Sequence, residues 1–238
     1  MKEGVVIKKY RNEWKYSLTN QEISLLNSRL KEVMELDPHT PEKGRYVIHS
    51  LYFDDYKDTS VYTTSSGLSK RFKWRIRFYD EDLSYIVLER KEKLFSRCHK
   101  KSCRLTLDEY KIIVSGDITD LVYETKKELI KELARDMMLY DYRPKVIVDY
   151  ERIAYVEEIT NVRITFDMKI SASYDLEHFL DGDYEKFYIN PNGVNLLEVK
   201  FDDILPSYIR RIVESYNFKQ TTFSKYYYGR KIIDSYMR

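Results

Sequence analysis

Apolar and polar residues alternate with a period of two over much of the chain. The alternation predicts strands at residues 6–18, 45–53, 72–79, 85–93, 98–105, 145–156, 162–171 and 195–200. Helical spacing takes over between them. Ile23, Leu26, Leu30 and Val33 recur every three to four residues behind a Thr19 cap, which predicts a helix over 19–35. Helices are also expected over 106–114, 123–139 and 206–216, and in the tail from about residue 224. Residues 37–44, with Pro38 and Pro41, and residues 181–193 read as loops. No internal repeat and no shift of composition divides the chain, so one domain over 1–238 is expected. The predicted class is α+β: about eight strands closing into an antiparallel β-barrel that forms a tunnel, decorated by helices.

Charges collect on one face of several strands. In residues 73–79 alternation puts Lys73, Arg75, Arg77 and Tyr79 on one face and Trp74, Ile76 and Phe78 on the other. Val87, Glu89, Lys91 and Lys93 share a face, as do Arg163, Thr165, Asp167 and Lys169. So do Glu13 with Lys15, Tyr150 with Arg152, and Glu198 with Lys200. On any single strand this is an ordinary solvent face. Repeated on five or more strands, it also fits a barrel whose apolar faces pack outward and whose charged faces line the inside. Unpaired interior charges cost several kcal/mol each, so such a lumen has to hold water and a polyanion. Cations with a few carboxylates suit phosphate chains plus a divalent metal. Periodicity alone is compatible with both arrangements.

Composition narrows the chemistry. Lys and Arg number 41 against 39 Asp and Glu, a net charge of +2 that lacks the basic surplus of a general nucleic-acid binder. The aromatic residues interleaved with the cations of 73–79 lie on the opposite face and cannot stack bases beside them, so nucleic acid is not an expected partner. With 23 Tyr and 10 Phe the chain is not disordered. GxxxxGK[ST], GxGxxG, HExxH, CxxC and GxSxG are all missing, and His39, His49, His99 and His178 are scattered. Any catalysis therefore rests on carboxylates, Lys and Arg. Cys98 and Cys103 on an extended segment lie ~16 Å apart, beyond the ~7 Å a disulfide tolerates, and are expected to be free thiols. Charges fill the first sixteen residues and no apolar run reaches the ~18 residues of a membrane span, which predicts a cytoplasmic protein.

Eight short motifs then occur in a recognisable order. They are Arg11-x-Glu13-x-Lys15-Tyr16, Ser50-Leu51-Tyr52-Phe53-Asp54, Lys73-x-Arg75-x-Arg77-x-Tyr79, Glu89-x-Lys91, Tyr150-x-Arg152, Arg163-x-Thr165-x-Asp167, Leu197-Glu198-Val199-Lys200-Phe201-Asp202 and Phe223-Ser224-Lys225-Tyr226. The series, from about Arg11 to Gly229, resembles the VTC domain. This is the polyphosphate polymerase domain of the vacuolar transporter chaperone complex and its bacterial relatives, within the triphosphate tunnel metalloenzymes. The resemblance implies a closed tunnel and transfer of the γ-phosphate of ATP to polyphosphate or phosphate. It implies phosphate contacts from Lys15, Arg75, Arg77, Lys91, Arg152, Arg163 and Lys225, with Lys100 an eighth, although Lys100-Lys101 leaves that register open by one. Among these, Arg75, Arg77 and Lys91 act in catalysis with Glu198, which binds Mn²⁺ or Mg²⁺. Where the family's yeast enzyme has a further lysine, this chain has Thr222. Tyr52 and Asp54 read as structural. The chain has no intrinsic membrane segment, and the resemblance implies a membrane-protein partner that could hold it at the inner face of a membrane. A triphosphatase (tripolyphosphate hydrolase) in the same tunnel and a non-catalytic polyphosphate-binding module are the rival readings. Hydrolytic relatives carry Glu-x-Glu-x-Lys near the N-terminus; Arg11 here replaces the first carboxylate.

Overall fold

The structure is a computed structural model that describes residues 10–189 and 195–237. Residues 6–9 of the first predicted strand and 190–193 of the second predicted loop lie outside the described residues. The chain runs β1 (Arg11–Leu18), α1 (Asn20–Leu30), β2 (Glu35–Leu36), β3 (Tyr46–Asp54), α2 (Thr59–Ser65), β4 (Lys70–Tyr79), β5 (Asp82–Leu94) and β6 (Arg97–Leu105). Then come α3 (Leu107–Ser115), α4 (Thr119–Glu124), α5 (Glu128–Tyr140), β7 (Arg143–Glu157), β8 (Val162–Ser173), β9 (Phe187–Tyr188), β10 (Asn195–Phe201), α6 (Ser207–Glu214), β11 (Lys219–Gln220) and α7 (Lys225–Tyr236).

Eight strands pair in the order β7-β3-β4-β5-β6-β1-β10-β8, and β8 pairs back onto β7, so the sheet closes into a ring. Every ladder in it is antiparallel. The seams are unequal. β5 and β6 share nine register pairs, whereas β1 meets β6 only at Arg11↔Cys98 and Asn12↔Arg97. Both cysteines are free thiols.

The apolar strand faces turn outward, and helices cover them. Leu51, Phe53, Trp74, Ile76, Phe78 and Leu88 pack under α3, α4 and α5. Ile164, Phe166, Leu197 and Val199 pack under α1 and α6. Fully burying each large side chain stabilises by ~1.5–3 kcal/mol. Trp74 is fully buried because its indole N–H finds Asp136 Oδ2 at 2.8 Å. A third cluster lies inside the ring, where Ile48, Val146, Val148 and Ala172 meet Tyr226 and Ile233 of α7. α7 can come this close because of Gly229: a Cβ there would stand 3.0 Å from Val148 Cγ2 and 3.4 Å from Ala172 Cβ.

Several elements differ from the sequence expectation. The helix over 19–35 keeps its Thr19 cap, with a reciprocal Glu22 bond, but ends at Leu30; Val33 is exposed. The helix over 123–139 is two helices, separated where Thr125 turns extended and its hydroxyl accepts the Lys127 N–H. α2 was not expected, and β9 lies within a predicted loop. Lys169, expected on the charged face, has φ of 51° beside the register shift between β7 and β8. That bulge turns it outward to Glu151, 2.6 Å away.

Candidate active site

The register decides which charges meet. Across β3, β4, β5 and β6, Tyr52 faces Arg75, Arg75 faces Glu89, and Lys73 faces Lys91, which faces Lys100. Across β1, β10 and β8, Lys15 faces Glu198 and Glu13 faces Lys200, which faces Arg163. All of these lie on the inner face of the ring, and all but Glu89 line a cavity of about 1470 Å³. Thirteen Lys or Arg and five Asp or Glu line it, so the wall is strongly positive although the chain is nearly neutral. All nine residues assigned roles from sequence are on that wall. The register also settles Lys100 over Lys101: Lys100 reaches Glu89 at 2.6 Å, while Lys101 turns out to Glu132 of α5 at 2.5 Å.

Four buried carboxylates organise the cations. Glu89 accepts Arg75 Nε at 2.6 Å and Lys100 Nζ at 2.6 Å, with Arg77 Nη1 at 3.7 Å. Arg75 and Arg77 also donate to the Tyr52 and Tyr150 hydroxyls at 3.1 and 2.9 Å. Glu13 holds Lys91 at 2.8 Å, Lys200 at 3.6 Å and the Cys98 thiol at 3.2 Å. Glu198 holds Lys200 at 2.8 Å, Lys225 at 3.1 Å and Lys15 at 3.2 Å. Asp167 takes Arg152 at 2.6 and 2.8 Å and Lys225 at 2.5 Å. Arg163 stands apart, on Asp37 and the Tyr46 hydroxyl. Burial alone would push these carboxylates up. The cations overcome it and hold Glu13, Glu89 and Glu198 well below the usual carboxylate range. Arg11 faces the same cavity but pairs with Asp202 at 3.1 Å.

Three lining cations differ from the rest. Arg71, Lys73 and Lys93 make no ion pair with any described residue. Lys73 Nζ donates only to Ser224 Oγ, at 2.9 Å, above the Tyr226 ring. Burial, then Arg71, Lys15 and Lys91, hold its ammonium well below the lysine range. Sequence reading placed Lys73 on the right face and gave it no role. It passed over Arg71, which continues the same period-two row. Asp54 is structural as expected: it accepts the Ser60 N–H at 3.0 Å and the Tyr226 hydroxyl at 2.6 Å. Tyr52, expected to be structural, also lines the cavity.

Among the described residues no group of three or more His, Cys, Asp or Glu side chains forms a metal cage. The oxygen donors near Glu198 nonetheless suit a hard cation. Thr165 Oγ1, buried and directly across the ladder from Glu198, has no hydrogen-bond partner. One carboxylate and one hydroxyl leave the other positions to phosphate oxygens, as Mg²⁺-like ions accept.

A closed antiparallel ring with a charged interior, one helix reaching into it and the others packed outside, defines the triphosphate tunnel fold. A candidate adenylyl cyclase from Hippeastrum, described as having a dominant triphosphatase activity, superposes with a TM-score of 0.56 at 12% identity, over 94% of this chain and 95% of that one. A candidate adenylate cyclase from Bacillus halodurans does so with a TM-score of 0.54 at 14% identity, over 91% and 95%. No curated protein matches the sequence. The VTC domain profile matches residues 10–233, and this protein belongs to the VTC domain family. No helix among the described residues is long and apolar enough to cross a membrane.

Proposed function

We propose that this protein is a polyphosphate polymerase that moves the γ-phosphoryl group of ATP onto phosphate or a polyphosphate end and releases ADP. The bond from the γ-phosphorus to the β–γ bridging oxygen breaks, and an acceptor phosphate oxygen bonds to that phosphorus. The observation that carries this reading is the state of the lumen carboxylates. Glu13, Glu89, Glu198 and Asp167 are each clamped by at least two cations, and all four are held below their usual range. Such groups are weak bases and ill suited to activating water. An acceptor phosphate is already ionised at neutral pH and needs no base. What must be overcome is repulsion between two polyanions, and positioning with charge neutralisation does most of that work.

In this reading Arg75, Arg77, Arg152 and Arg163 grip phosphate oxygens with planar forks, and Lys15, Lys91, Lys100 and Lys225 act as point charges. Glu198 would hold Mg²⁺ or Mn²⁺, with Thr165 beside it. The ion, when bound, withdraws charge from the leaving diphosphate. Hydrolysis is the second reading, favoured by the triphosphatase activity described for the Hippeastrum protein of the same fold. The test is product analysis with ATP, Mn²⁺ and a short polyphosphate primer. Lengthened polymer with matching ADP is expected. Orthophosphate without polymer replaces the polymerase by a triphosphatase. Tight tripolyphosphate binding with no product leaves a binding module.

A further inference from the structure

Lys225 is the first residue of α7, a place where the helix dipole disfavours a cation. Two buried carboxylates hold it there. Its Nζ lies 2.5 Å from Asp167 Oδ2 and 3.1 Å from Glu198 Oε1, so the ammonium bridges side chains of the paired strands β8 and β10. Each carboxylate keeps another cation besides. Asp167 has Arg152 at 2.6 Å, and Glu198 has Lys200 at 2.8 Å and Lys15 at 3.2 Å. Arg152 also faces both carboxylates but stands 3.9 Å from Glu198. Thr165 lies on the same inner wall, next to Asp167 in the period-two row and directly across the ladder from Glu198. Its hydroxyl is fully buried and has no hydrogen-bond partner. Two carboxylates and an unused hydroxyl thus outline a cation position that an ammonium fills without using every oxygen.

We propose that Lys225 and a divalent ion are alternative occupants of this position: Lys225 holds the carboxylates in the phosphate-free protein and turns onto phosphate when the ion takes its place. The proposal rests on the phosphoryl-transfer reading, in which Glu198 takes the ion and Lys225 a phosphate. Its physics is repulsion and reach. A divalent ion cannot settle a few ångströms from an ammonium that shares its ligands, so one of the two has to leave. The lysine head rides on a flexible four-carbon stem and can turn while the helix stays still. α7 itself is fixed by the Tyr226 hydroxyl on Asp54 at 2.6 Å and by the close approach of Gly229 to Val148. The exchange couples the two ligands. The ion frees a cation for phosphate, and phosphate, by drawing Lys225 away, clears the carboxylates for the ion. The empty lumen therefore resists loading with metal alone.

The experiment titrates Mn²⁺ into the phosphate-free protein by calorimetry. Lys225→Met keeps the stem and removes the charge, and should bind Mn²⁺ at least about tenfold tighter than wild type. Lys15→Met is the control: it takes one charge from Glu198 without vacating the bridge, and should tighten Mn²⁺ by no more than about threefold. Adding Asp167→Asn to Lys225→Met should cancel the gain. Arg152, Lys15 and Lys200 still pair with both carboxylates in Lys225→Met, and Lys225→Gln replaces it if thermal melting shows it unfolded. If removing the Lys225 charge tightens Mn²⁺ no more than Lys15→Met does, the exchange is wrong while the phosphoryl-transfer reading stands. A wild-type protein that binds no tripolyphosphate in chelator overturns that reading and the exchange together.

Discussion

Lys73 sits where its charge is least welcome in the empty protein. Its folded value lies below the ordinary lysine value, so between the two the unfolded chain binds more protons. Charged Lys73 therefore destabilises the fold at neutral pH, and the penalty lifts as pH rises from the folded value to the unfolded one. Ligand binding runs the opposite way, because a neutral amine does not attract phosphate. Tripolyphosphate affinity should fall on the alkaline side, and Lys73→Arg, which keeps its charge, should flatten that fall. Titration from pH 7 to 10 on both proteins decides it; parallel curves remove Lys73 from the binding wall. Glu198 is the other decisive residue. Glu198→Gln preserves shape and should lower turnover at least ~10²-fold, ~2.7 kcal/mol in the barrier, while tripolyphosphate in chelator still binds. An unchanged rate at limiting Mn²⁺ takes Glu198 out of the site. Alternation in the sequence was enough to put both side chains on the lumen face. It could not say that Glu198 is already held by three lysines while Lys73 makes no ion pair with any described carboxylate. That distinction depends partly on partners more than a hundred residues away, Lys15 for Glu198 and Ser224 for Lys73.

At the scale of the strand, the row on β4 looks self-repelling in sequence, which suggests that deleting its arginines stabilises the empty protein. Glu89 reverses the sign. Only 1% exposed, it would be left with Lys100 alone. Removing the partners of a buried charge typically costs ~3–5 kcal/mol. The double change Arg75→Ala, Arg77→Ala should therefore lower the melting temperature by about 10 °C, and adding Glu89→Gln should restore most of it. A double variant as stable as wild type would mean that water already satisfies Glu89. The eight ring strands were legible because each has one face buried under helices, so their period of two is clean. α2 was not legible. Its segment carries Thr, Ser and Tyr without an apolar stripe, and its first turn is fixed by Asp54, which accepts the N–H groups of Ser60 and Val61 at 3.0 and 3.3 Å. The single helix expected over 123–139 failed for a similar reason: its apolar residues continue through a break that Thr125 makes locally.

For the whole molecule, the ring is a container for positive charge whose sum the composition conceals. Ligand should act on all of it together. Saturating tripolyphosphate at about a hundred times its dissociation constant should add ~2.7 kcal/mol of stability, a rise in melting temperature of about 5–10 °C. The rise should shrink with added salt, and a salt-independent shift would argue against an electrostatic clamp. The closed architecture was anticipated from the repeated charged face together with the motif order. The strand order itself was not, since periodicity does not say that β1 sits between β6 and β10.

That position of β1 matters during synthesis. The first described strand finds its long partner only when β10 emerges, and Lys225 of α7 reaches the lumen later still. On the ribosome, a chain that has made seven of the ring strands still carries β1 and β8 with bare edges, each able to pair with a neighbouring nascent chain. The binding wall cannot be assembled piece by piece as the protein is made. It arrives at once, when β10 and α7 have both been made, and until then the chain carries a large sheet with unpaired edges.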